Sequence, residues 1–313
     1  MESQPEHFIS LPLVSKEEEN PYLPLSINVI AKYWGEDLIA TKSSPPTRGA
    51  IMIEGIELAE KSGLAAYIYK SSLKDLKKRI DQGIPLIAIM PGIQDVAQHA
   101  TIISGYSPDE RRIMTYVPEP DTVGAIPESK FESDWEQDDS TAIVILPADM
   151  TDMIRSEVPR FFRSNRLCFE AERLRNQGHV EKATKMLEQA TTEDPENAQA
   201  WSQLGGTYND QGSEHAVLCY ERAVRLNPNY YLAYRGLGNY YLKKKDYLLA
   251  EMYYNKAINV NKVRYGPIYK NRAVARMQLG NNAGARQDLE EYVRQTPNAP
   301  DLKSVKDAIM QLS

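Results

Sequence analysis

The stretch Trp201-Ser-Gln-Leu204-Gly205-Gly-Thr-Tyr208 sets a large apolar residue, a small one and an aromatic at helical spacing on one face. Gly212 breaks this helix, Ala216 to Asn227 reads as the return helix, and Pro228 stops it. The pattern continues outward in both directions. Ala183, Ala216, Ala250 and Ala285 share one position of a unit whose spacing runs 33, 34 and 35 residues. Four residues on come Leu187, Tyr220, Tyr254 and Leu289, and three further on Ala190, Ala223, Ala257 and Tyr292. Large residues in one place and small ones in another, at this period, predict stacked helix pairs. The third unit uses Tyr234, Leu237, Gly238 and Tyr241, and the fourth uses Tyr269, Ala273 and Leu279-Gly280. The first, around Leu167, Ala171, Leu174 and Gly178, is degenerate, as terminal repeats usually are. Leu302, Val305, Ile309 and Leu312 predict a solvating cap helix after it.

These recurring positions resemble the tetratricopeptide repeat family, over residues 164–299 in four units. At 313 residues the chain has room for a second domain. A net charge of -6, with no basic stripe, argues against nucleic acid as partner. No apolar run approaches the length of a membrane span, and no leader pattern opens the chain. The two cysteines, Cys168 and Cys219, form no CxxC and fit a reducing, cytoplasmic compartment. Both fall inside repeat helices, where a thiol packs as a small apolar side chain. His179 and His215 fall at turns between repeat helices and make no metal site.

Residues 7–147 lack the repeat. His7 to Val14 predicts a strand, Leu25 to Trp34 and Ile51 to Ser62 predict helices, and Ala65 to Tyr69 a strand. Ser72 to Gln82 predicts a helix with Ser72 as cap. Strands follow at Leu86 to Met90, Ala100 to Tyr106 and Arg112 to Val117, then a helix from Ser129 to Trp135 and a strand from Ala142 to Leu146. Helices followed by a group of strands give an α+β order. The helix Tyr22-Leu-Pro24…Tyr33-Trp34-Gly35, the strand Gln98-His99…Gly105-Tyr106 and the turn Pro118-Glu119-Pro120 resemble the papain-like C39 family, the bacteriocin-leader peptidases.

That resemblance assigns a catalytic layout, and this sequence departs from it. Tyr22 stands at the nucleophile cysteine, Lys16 at the oxyanion-hole glutamine and Glu119 at the orienting aspartate; of the four parts His99 alone is kept. A thiolate beside an oriented imidazole is what the chemistry needs. A phenol with a pKa near 10 cannot replace it, and its ring fills the space of the substrate carbonyl. The expectation is a pseudo-peptidase with no metal and no cofactor, related to exporter domains that dock cargo.

In the repeats, Arg235 and Asn239 lie one turn apart, Asn271 takes the next inward position, and Lys303 and Lys306 follow on the cap helix. The set resembles the two-carboxylate clamp of chaperone-cofactor repeats, which implies capture of a peptide's C-terminal carboxylate. A solvated charged face is the plainer account of the lysines. The expected organisation is therefore a degenerate C39-like α+β domain at 1–148, a linker or bridging helix at 149–163, repeats at 164–299 and a cap helix at 300–313. The expected function is a non-catalytic adaptor or scaffold for a protein or peptide partner, the C39-like domain serving as a second docking surface. The alternatives are a residual hydrolase acting through His99 and a permanent subunit of a larger assembly.

Overall fold

The computed structural model describes residues 7–13, 24–38, 51–94, 96–117, 122–155, 159–260 and 265–312. An α+β part comes first and a run of helix pairs follows. The chain forms two compact units that do not follow chain order. The first holds residues 1–90, 100–136 and 140–195; the second holds 91–99, 137–139 and 196–313.

In the α+β part, α1 (Leu25–Tyr33), α2 (Ile51–Lys61), β1 (Leu64–Lys70) and α3 (Leu73–Asp81) lead into β2 (Leu86–Ile93) and β3 (Val96–Ser107). Then come β4 (Arg112–Val117), β5 (Thr122–Pro127), α4 (Glu128–Trp135) and β6 (Thr141–Pro147). The six strands form one sheet in the order β1-β6-β2-β3-β4-β5. Its β1/β6, β2/β6, β3/β4 and β4/β5 pairs are antiparallel. Alternation splits β1 between two cores. Ala66 and Ile68 pack with Ile27, Ile30, Ile53 and Ile56 of α1 and α2. Tyr67 and Tyr69 pack with Leu76, Ile80, Phe131 and Trp135 of α3 and α4. β6, the second strand of the sheet, is covered on both faces, so Ala142 to Leu146 reads as a continuous apolar run. Ser72 caps α3 as expected, its Oγ accepting from Asp75 N at 3.2 Å.

Three differences from the sequence expectation have physical reasons. β2 and β3 run on past Met90 and start before Ala100, because Pro91 and Gly92 are carried inside the strand instead of ending it. β5 goes unread, since Gly124 and Pro127 weaken its strand signal and it buries little. The strand expected at 7–14 shrinks to a short pairing: Phe8 bridges Gly105, and Ile9 N donates to Ser104 O at 2.7 Å.

A short helix, α5 (Asp152–Arg155), is followed by the first repeat, α6 (Phe162–Asn176) and α7 (Val180–Glu193), within the same compact unit. Phe169 enters the α1/α2 core. Arg166 donates twice to Glu60, at 2.8 and 3.0 Å, and Arg173 reaches Glu57 at 2.7 Å. Such forked pairs fix α6 against α2 by geometry more than by energy.

The second unit carries α8 (Ala198–Asp210), α9 (His215–Leu226), α10 (Tyr231–Lys243), α11 (Tyr247–Val260), α12 (Pro267–Gln278), α13 (Asn282–Gln295) and α14 (Leu302–Gln311). Its repeat pattern has a steric cause. The Tyr220 ring on α9 lies against Gly205 of α8 and Gly236 of α10, where an added Cβ would sit 2.9 and 2.2 Å from ring carbons. Tyr254 lies against Gly238 in the same way, at 2.6 Å. Small residues let the helices close on a ring, which is what the period in the sequence records. On α14, Val305 packs with Tyr269 and Tyr292. Cys168 and Cys219 are both buried, and neither forms a disulfide.

Candidate peptide-binding face of the repeats

α10 and α12 lie side by side, and their starts carry Tyr231 and the pair Tyr265–Gly266. One turn into α10, Arg235 donates from Nη1 to Tyr265 Oη at 3.0 Å, and its guanidinium sits 5.2 Å from the centre of that ring. One turn further, Asn239 Oδ1 accepts from Tyr254 Oη at 2.7 Å and from Asn271 Nδ2 at 3.0 Å. Three of the five residues expected to line the groove, Arg235, Asn239 and Asn271, therefore form a row across α10 and α12. Lys303 and Lys306 are exposed on α14, and no hydrogen bond among the described residues ties them to that row.

Sequence reasoning missed what already lies on this face. Residues 91–99, from the β2–β3 hairpin, and 137–139 pack with the repeats in one unit. The Tyr231 hydroxyl accepts from Gly92 N at 3.0 Å and donates to Ala97 O. Gly266 N donates to Gln94 O at 2.8 Å, and Gln94 bridges Tyr265 in parallel fashion. Asn227, closing α9, donates from Nδ2 to Asp139 Oδ1 at 3.2 Å. Asp138 accepts from Gln98 Nε2 at 2.5 Å. No local signal marks these partners, which stand more than 80 residues from their helices.

The electrostatics are set by burial. Asp138 is 1 % exposed, and burial pushes its carboxyl up to about 8; the Gln98 hydrogen bond pulls it down, Asp139 adds to the rise, and Arg235 opposes it. Burial raises the Tyr231 phenol well above its ordinary value, with Asp138 adding to the rise. A guanidinium among tyrosines, with its Nε enclosed and lacking an acceptor among the described residues, is equipped to hold an acidic polypeptide group.

Of the four positions of the C39-like layout, Lys16, Tyr22 and Glu119 lie outside the described residues. His99 is on β3 and belongs to the second unit, its Nδ1 donating to Pro91 O at 2.8 Å. Among the described residues no group of three or more metal-ligating side chains occurs. No described helix is long and apolar enough to cross a membrane.

Residues 40–143 match the model of the Peptidase_C39 like family, and residues 170–215 and 213–262 match that of the tetratricopeptide repeat. RNA polymerase II-associated protein 3 of Xenopus laevis is 29% identical over 118 residues, covering 37% of this chain and 18% of that protein. The chain thus spans under a fifth of that relative's length. Among solved structures, a MamA crystal structure has 21% identity and a TM-score of 0.39, covering 45% of this chain and 89% of its own. The pilF protein of Pseudomonas aeruginosa has 19% identity and a TM-score of 0.44, covering 48% and 67%. This chain carries a C39-peptidase-like region followed by tetratricopeptide repeats.

Proposed function

We propose that this protein is a non-catalytic adaptor whose repeats hold a segment of a protein partner on the α10–α12 face, with the C39-like region as a second docking surface. The observation that carries the reading is the row Arg235, Asn239 and Asn271. A cation and two linked amides, framed by tyrosines, suit a carboxylate-bearing segment, as the clamp resemblance implies for a partner's C-terminus. Lost hydrolysis is read from chemistry. Tyr22 at the nucleophile position offers a phenol where thiolate attack is needed, and Lys16 and Glu119 alter two further parts.

The test is quantitative capture from native lysate by the wild type and by an Arg235→Ala/Asn239→Ala variant. A partner lost from the variant is then offered as a C-terminal peptide with a free or an amidated carboxylate. At least tenfold weaker binding of the amide, about 1.4 kcal/mol, is expected. Equal capture by both proteins would remove the α10–α12 face from the reading. Peptide turnover that disappears in His99→Ala would instead establish the residual hydrolase.

A further inference from the structure

Residues 91–99 and 137–139 are held on the repeats in the manner of a ligand. The contacts of the hairpin read main chain: one hydroxyl, on Tyr231, takes both the Gly92 N–H and the Ala97 carbonyl, while Gly266 N donates to Gln94 O beside the Gln94–Tyr265 bridge. Strand-like addition of an extended segment is a common route of peptide recognition. Asp138, of the second segment, lies within electrostatic reach of Arg235.

Pro91 is buried, but two apolar side chains near the end of the hairpin are left out of the attachment. Ile93 and Val96 are 39 % and 50 % exposed. The apolar clusters built on Tyr220, Tyr254 and Tyr292 contain no residue of either segment. Polar, tyrosine-centred contact with the apolar groups left out is the make-up of an exchangeable interface, unlike that of a core. Both segments also hold non-glycine residues in left-handed backbone, Gln94 at φ 55° and Asp139 at φ 56°. Arg235 Nε is enclosed and has no hydrogen-bond acceptor among the described residues, so the occupant leaves part of the guanidinium unused.

We propose that residues 91–99 and 137–139 are a resident occupant of a peptide-binding face, and that the partner is an extended, acid-bearing segment that takes their place. This rests on the adaptor reading and adds the partner's form and the competition it meets. The chain's own hairpin shows contacts such a segment can take over: a single strand-like bridge to Tyr265, and one main-chain N–H and one carbonyl on Tyr231.

The probe is a fluorescent peptide copying Met90 to Ala100, offered to the full chain as wild type and as Gly92→Val. A Cβ at Gly92 would lie 2.5 Å from Val96 O and 2.6 Å from Ala97 O, so the variant distorts the hairpin end without touching the repeats. Hydrogen exchange at Gly266, whose amide bonds Gln94, reports whether the face has emptied. The expected result is faster Gly266 exchange and at least tenfold tighter probe binding in Gly92→Val, abolished by adding Tyr231→Phe, which removes the hydroxyl that holds Gly92 and Ala97. Equal probe binding to both chains, with Gly266 freed, overturns the competition and leaves the adaptor reading standing. No binding to a chain whose Gly266 is freed overturns both. Should Gly266 stay protected in Gly92→Val, Tyr231→Phe loosens the same contact from the helix side. Protection retained in both variants makes the segments a permanent part of the unit and ends the proposal.

Discussion

Arg272 and Arg235 are both guanidinium groups set between helices of the second unit, and they are satisfied in opposite ways. Arg272 forks onto Asp288, at 2.9 and 2.5 Å, and donates to Asn255 at 2.6 Å. Arg276 shares Asp288 at 3.1 Å and reaches Glu251 at 2.7 Å. Every partner there comes from a repeat helix, and the two cations meet two carboxylates. Arg235 has a phenol and a ring face, and the one carboxyl named in its electrostatic reach, Asp138 from a distant turn, is pushed up to about 8 by burial. The first arrangement fixes helices, and the second has the make-up of a recognition site. Buried ionic networks of the first kind supply register, whereas an incompletely neutralised cation retains affinity for an outside acid.

The sharpest way to break this contrast is Asp288→Ala. Asp288 is 3 % and Arg272 13 % exposed as side chains, so two cations are left without their shared partner. A loss of about 3–5 kcal/mol is expected in urea unfolding, followed by hydrogen exchange in α12 and α13. A loss under about 1 kcal/mol would put Arg272 in the same class as Arg235.

Titration comes next. Asp138 has its carboxyl raised to about 8, so its neutral form is the one the folded unit favours. Its contribution is fully present below the unfolded value near 4 and is lost as pH rises toward 8. Between pH 5 and 7 the wild type should lose about 2–3 kcal/mol more than Asp138→Asn. Parallel pH profiles for the two proteins would contradict an enclosed carboxyl.

Gly236→Ala probes the steric rule behind the repeats, since its Cβ would lie 2.2 Å from Tyr220 Cε1. About 1–3 kcal/mol should go, part of it returning with Tyr220→Leu. A neutral result would mean that α9 and α10 can part at little cost. The smallest effect is expected from Arg235→Met, about 1 kcal/mol for one lost hydrogen bond. Because Arg235 holds the Asp138 carboxyl down, the Asp138 titration should move upward in this variant, whereas a structural role alone predicts no movement.

The helix pairs were legible because their packing is local: Gly205, Tyr220 and Gly236 fall within one period, and their sizes record which surfaces meet. The sheet was legible through its buried strands and less so at its margin, where β5 leaves Val123 56 % exposed. The row Arg235, Asn239 and Asn271 could be placed by helical phase alone. Its occupant could not. Residues 136–139 fall between the expected helix and strand with no element expected over them, and Pro91-Gly92 follows the expected strand end at Met90. Only three-dimensional closure over long stretches of chain joins them to Tyr231 and Asn227.

A unit assembled from residues 91–99, 137–139 and 196–313 also imposes a timetable on the newborn chain. The hairpin emerges from the ribosome well before Tyr265 and Gly266. At roughly 5–20 residues per second the delay is on the order of ten seconds. Over that interval α10 can form and receive Gly92 and Ala97 on Tyr231, but the contact between Gln94 and Gly266 must wait for the next repeat. For those seconds the α10 face is only partly claimed, so a partner segment present during synthesis meets less competition than one arriving after the chain is complete.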